Sequence, residues 1–169
     1  MNAAALPETG AVAVDGGEQV ASARLQVLAA VRYKLAIHLP VLTADVLGEA
    51  AELGELRRIA TTGRGAEIRL LLGDPLAALR MGHRLIDLAQ RLPSVFQIRA
   101  PAEEDTAESI DTSAWLLNDT QGYLFLPDAA RPLGRAALHD GPGQAPLLLQ
   151  FEQIWQRAVP ATQLQPLGL

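Results

Sequence analysis

An α/β sandwich, with a mixed but mostly parallel sheet and flanking helices, is the architecture this sequence predicts, and three observations predict it. Short apolar runs at 34–39, 67–72 and 95–99 alternate with segments of helical period. Two further apolar runs, 113–118 and 123–126, flank Asp119-Thr-Gln-Gly122 and add an antiparallel hairpin. With 49% apolar and 20% charged residues in a chain of 169, one sizeable core can be buried.

Residues 1–16 lack a sustained period and lead into Asp15-Gly-Gly17, which reads as a mobile N-terminal tail before a single domain over 17–159. From Gln19 to Tyr33, Val20, Ala23, Val27, Ala30 and Val31 recur at helical spacing. Leu35, Ile37 and Leu39 then alternate in a short strand that Pro40 ends. Thr43 is the expected N-cap of a helix over 44–61, whose buried stripe is Leu47, Ala51, Leu56, Ile59 and Ala60. Gly63-Arg-Gly65 stops it, and Glu67–Leu72 is apolar enough at its end to be a central strand. Gly73-Asp-Pro75 opens a helix to Arg91, with Arg80, Arg84, Asp87 and Arg91 on a solvated face. A third strand follows at 95–99. The stretch 100–111, carrying Glu103, Glu104, Asp105, Glu108 and Asp111, reads as an exposed acidic loop. Beyond the hairpin, a Pro/Gly-rich connection runs from Pro127 to Pro146. The last helix aligns Leu148, Phe151, Trp155 and Ala158 on a stripe widened by Leu147 and Ile154, so both rings are expected in the core. Val159-Pro160 ends it, before a C-terminal tail over 160–169.

The composition limits the chemistry. The absence of cysteine excludes disulfide frameworks, thiolate metal sites and cysteine nucleophiles, and suits a reducing cytoplasm. A formal charge of −5 and scattered arginines predict no binding to nucleic acid and none to anionic membrane surfaces. The N-terminus lacks the basic start of a signal peptide, and no apolar run approaches the roughly 18 residues of a membrane span. Leu6-Pro-Glu-Thr-Gly10 matches a sortase pentapeptide but lacks the hydrophobic stretch and basic tail that such a signal needs, so it reads as accidental. His38, His83 and His139 fall on separate elements without ligand spacing, which predicts no metal and no cofactor and places them at surfaces or element ends. Asp74 ends an apolar strand where open α/β sheets place functional groups, although capping the helix behind Pro75 is the simpler role.

The order of strand, helix, Ile68-Arg-Leu-Leu-Leu72 strand, helix, short strand, hairpin and aromatic-bearing terminal helix resembles one half of the phospholipase D superfamily. In that family the hairpin carries His-x-Lys-x-x-x-x-Asp followed by Gly-Ser-x-Asn. The histidine attacks phosphorus, and the lysine and asparagine hold the phosphoryl oxygens. With Asp119 set on the family's aspartate, the histidine position falls on Thr112, the lysine on Ala114, the Gly-Ser pair on Leu126 and Pro127, and the asparagine on Ala129. The resemblance therefore implies the fold with a degenerate motif at Thr112, Ala114 and Asp119 and no catalytic residues. Asp119 is then expected to be a turn residue satisfying backbone donors. The blocks Arg80–Ser94 and Phe151–Arg157 are similar to an uncharacterised bacterial domain sometimes attached to acetyltransferase-like proteins. No loop for acetyl-coenzyme A accompanies them, and no acetyl transfer is expected. The chain is thus expected to be a pseudoenzyme, an interaction module for an unknown protein partner or for itself as a homodimer. The alternative is an enzyme with a site around Asp74 or the acidic loop 103–111.

Overall fold

The computed structural model describes residues 5–103, 105 and 112–162. Among them, the strands are β1 (Val12–Asp15), β2 (Lys34–Leu39), β3 (Glu67–Leu72), β4 (Phe96–Ala100), β5 (Ala114–Asn118), β6 (Tyr123–Leu126), β7 (Leu133–Ala137) and β8 (Val159–Pro160). They form one sheet in the order β1-β7-β6-β5-β2-β3-β4-β8. The helices are α1 (Gly17–Ala29), α2 (Ala50–Ala60), α3 (Pro75–Arg80), α4 (Arg84–Arg91) and α5 (Gly141–Arg157).

The sheet is mixed but not mostly parallel. Only β2–β3 and β3–β4 run parallel; the other neighbours are antiparallel. Parallel pairing needs a crossover, which α2 and then α3 with α4 supply, whereas β5, β6 and β7 follow one another through turns too short for a crossover. Alternation sends Leu35, Ile37, Leu39, Ala114, Leu116 and Leu124 to one face, where they meet Val27 and Leu28 of α1, Leu56 and Ile59 of α2 and Leu85 of α4. Ala36, Leu71, Trp115, Leu117 and Tyr123 point the other way, against Leu147, Phe151, Ile154 and Trp155 of α5. Leu148, expected on that stripe, is exposed. Leu147 takes its place, because the buried face of α5 runs through Gln144, Leu147, Phe151 and Ile154.

Several boundaries differ from the sequence expectation. Val12–Asp15, placed there in a mobile tail, pair with β7 and bury Val14, while Leu6 is also buried. Neither strand had shown itself: β1 has one inward residue, and β7, Leu-Gly-Arg-Ala-Ala, lies in the Pro/Gly-rich connection and lacks β-branched residues. The helix expected over 44–61 starts at Ala50, because Leu47 adopts a left-handed backbone (φ 58°) while its side chain is fully buried. The helix expected over 75–91 is broken at Gly82, whose φ of 66° ends α3 before His83 caps α4. Past α5, Val159–Pro160 close the far edge on β4, and Ala161 donates its N–H to the Ile98 carbonyl at 2.9 Å. The remaining tail, 163–169, lies outside the described residues.

Candidate functional site

At the carboxyl ends of the parallel strands the chain leaves β2 through Pro40 and Val41, and β5 enters alongside at Thr112 to Ala114. A cavity of about 310 Å³ lies here. Thr112, Ala114 and Ala129 all line it, and the Ala129 N–H donates to the Thr112 carbonyl at 2.7 Å. Three positions separated in sequence, assigned by the resemblance to the nucleophile and the phosphoryl-binding groups, thus stand together. Around them the wall is aliphatic, built by Ile37 and Leu39 of β2, Leu116 of β5, Leu124 and Leu126 of β6, and Val46 and Leu47 of the loop before α2. No histidine or lysine lines the cavity among the described residues.

Its polar groups are mostly committed elsewhere. The Thr43 hydroxyl donates to Asp45 Oδ1 at 2.7 Å, and this bond first, with a backbone N–H, holds the Asp45 carboxyl below its ordinary range. Asp128 Oδ1 accepts from the Ala130 N–H at 2.9 Å. Arg24, 9% exposed on α1, donates through Nε to buried Glu52 of α2 and through Nη2 to the Asp45 carbonyl at 3.4 Å. The sequence offered no signal for that ion pair, because its partners are 28 positions apart.

Asp119 lies away from this cavity. It follows the far end of β5, roughly 20 Å along the strand from Thr112. Its Oδ1 accepts from the Arg32 N–H at 2.9 Å, and its Oδ2 from the N–H groups of Tyr33 and Lys34 at 2.8 and 3.1 Å. Partial burial acts to raise this carboxyl, and the three N–H bonds overcome it, so its pKa is lowered. The donors belong to the α1–β2 connection and the first residue of β2, so Asp119 clamps a distant segment to the hairpin. Beside it Asn118, buried and missed in the sequence, accepts through Oδ1 from the N–H groups of Thr120 and Gly122 and donates Nδ2 to the Val27 carbonyl.

The other candidates are structural in their contacts. Asp74 accepts from the Ala77 N–H at 3.1 Å and caps α3. His38 and His83 are buried rather than at the surface. His38 stacks on Trp115 at 4.5 Å between ring centroids on the α5 face, with Nδ1 3.0 Å from the Ser113 carbonyl. His83 accepts the Leu85 N–H at Nδ1, so the ring hydrogen is on Nε2, between the carbonyls of Thr43 and Val46 at 2.9 and 3.0 Å. It thereby ties α4 to one wall of the cavity. Of the acidic loop, 104 and 106–111 lie outside the described residues, and Asp105 pairs with Arg157 at 2.6 Å. No cluster of three metal-ligating side chains occurs among the described residues, and no helix there is long and apolar enough to cross a membrane.

A search of curated proteins gives no match. Among solved structures, Nuc from Salmonella typhimurium, a phospholipase D family member, superposes with a TM-score of 0.57 at 8% identity, covering 89% of this chain and 98% of that one. NucT from Helicobacter pylori gives 0.60 at 8% identity with the same coverage. TrmBL2, an archaeal chromatin protein with a novel mode of DNA binding, gives 0.61 at 17% identity, covering 89% of this chain. This chain spans about half, 54%, of TrmBL2. The exclusion of nucleic acid on net charge is thereby corrected: a chromatin protein that binds DNA shares the fold, and a whole-chain charge ignores which cations folding brings together. The phospholipase D-like fold is common ground, and by its match over residues 16–167 the chain belongs to the DUF7931 family, a domain of unknown function.

Proposed function

We propose that this is a non-catalytic phospholipase D-like domain, an interaction module whose binding element is the apolar cavity at the vacated active-site position. The observation that carries it is the meeting of Thr112, Ala114 and Ala129 around one aliphatic wall. Phosphoryl transfer through a covalent intermediate needs an activated nucleophile and cationic stabilisation of the phosphorane. Threonine and alanine supply neither, and Arg24 already faces Glu52. The competing enzyme, with a site at Asp74, loses support because that carboxylate is engaged at the start of α3.

The test is turnover of a chromogenic phosphodiester and of phosphatidylcholine by the pure chain, with Ala114→Leu as control. No turnover is expected. Turnover abolished by Ala114→Leu would place chemistry in the cavity and sink the proposal. Pairing of two copies belongs to the same proposal, and light scattering reads it as a mass of twice 18.0 kDa.

A second reading, binding of DNA, is favoured by the likeness to TrmBL2 together with one surface. Arg32, Lys34, Arg57 and Arg64 are all exposed at the end of the sheet where β2 and β3 begin, opposite the cavity. It predicts binding that weakens steeply with salt and with Arg57→Glu and Arg64→Glu. No binding at low salt removes it.

A further inference from the structure

We infer that the cavity takes a neutral, mainly aliphatic molecule of about a dozen non-hydrogen atoms, with one hydrogen-bond acceptor directed to Arg24. This rests on the non-catalytic reading above and names the ligand class of the same site.

Size comes first. An apolar cavity of about 150 Å³ admits benzene, and ligand pockets begin near 300 Å³. At about 310 Å³ the cavity has room for roughly twice the six carbons of benzene. It opens beside Val41, Ala129 and Ala130, all exposed, so a ligand has a way in.

Chemistry comes second. Ile37, Leu39, Val46, Leu116, Leu124 and Leu126 offer aliphatic contact with no donor or acceptor. A charged head would lose its hydration against such a wall without compensation. Among the buried residues of the lining, one polar side chain still has a donor to give: Arg24 is nine-tenths buried, its Nε and Nη2 are engaged by Glu52 and Asp45, and among the described residues no partner takes Nη1. Its positive charge is offset by Glu52 at contact distance, so what it presents is a hydrogen-bond donor without net attraction for an anion. A hydroxyl, ester or ketone oxygen satisfies that donor. A phosphate or carboxylate also brings a charge that Glu52 and Asp128 oppose.

The experiment titrates the full chain with decanol, decanoate and inorganic phosphate, read by calorimetry and by methyl NMR. Saturable one-to-one binding of decanol is expected, with shifts confined to the cavity methyls of Ile37, Val46, Leu124 and Leu126. Decanoate should bind at least tenfold more weakly, and phosphate not at all. Ala114→Leu and Ala129→Leu fill the cavity from two sides, and each should weaken decanol at least tenfold while keeping the wild-type melting transition. Ala129 is exposed, so its variant folds even where a leucine at 114 strains the strand. No saturable decanol binding, or equal binding by both variants, overturns the inference while the absence of phosphodiester turnover still supports the non-catalytic reading. Decanoate binding tighter than decanol overturns the neutral head. Phosphate binding lost in Ala114→Leu overturns the ligand class and the reading beneath it.

Discussion

The two ends of the β5–β6 hairpin have gone opposite ways. At the turn, Asn118 and Asp119 accept backbone N–H groups from their own loop and from the α1–β2 connection, so almost every polar atom has work in holding the fold. At the open end, Thr112, Ala114 and Ala129 line an aliphatic cavity with little hydrogen bonding of their side chains. Asp119 stands at the first end, and the positions that the resemblance sets on the family's histidine, lysine and asparagine stand at the second. The difference teaches that an aspartate at a motif position can be wholly engaged in holding a turn, whatever the positions beyond it do. Asp119 is therefore no evidence of an active site.

A core truncation away from both ends sets the scale. Trp155 is buried on α5, stacks on Phe151 at 5.7 Å and lies under the Arg99 guanidinium at 4.3 Å. Trp155→Ala should lower stability by about 3–5 kcal/mol in denaturant titration. At the turn, Asn118→Ala strands the Gly122 N–H and the Val27 carbonyl and should cost about 2–4 kcal/mol. A cost below about 1 kcal/mol would show that water replaces those bonds and that the turn is no clamp.

Asp119→Asn is expected to cost less, about 1 kcal/mol at neutral pH, because the carboxylate is exposed and its bonds are screened. Its pH dependence sharpens the comparison. The folded pKa is lowered, so this contribution is complete above the unfolded value of about 3.9 and is lost as pH falls through the folded one. The stability gap between wild type and Asp119→Asn should be level above about pH 5 and close below about pH 4. A gap that is flat down to acid unfolding would mean that the three N–H bonds do not favour the charged form.

The smallest effect belongs to the open end. Ala114→Leu grows into the cavity and should change stability by less than about 1 kcal/mol. Ala136→Leu, on the same face but fully buried and away from the cavity, should cost about 1–3 kcal/mol. Equal costs would mean that no space is free at 114.

The apolar periods of β2, β3 and the β5–β6 hairpin were legible because each alternates or runs apolar between clear stops, Pro40 and Gly73 among them. Strands β1 and β7 were not, because β1 is an edge strand with one inward residue and β7, though paired on both sides, lies in a Pro/Gly-rich connection and lacks β-branched residues. The break before α4 was signalled by Gly82, yet the uninterrupted apolar period hid it. At the site, the resemblance marked Thr112, Ala114 and Ala129, while their convergence depends on tertiary structure. Arg24, Glu52 and the wall held by His83 come from contacts between distant elements, for which local sequence carries no pattern.

The most direct measurement asks whether the open end can hold a phosphoryl group. Vanadate adopts the five-coordinate geometry of a phosphorane, and calorimetric titration of the pure chain with it, alongside methyl NMR, reads that capacity without needing turnover. No saturable heat and no shift at Ile37 or Leu124 is expected, since the cavity presents aliphatic side chains and one arginine already paired. One-to-one vanadate binding that disappears in Ala114→Leu would contradict the vacated site.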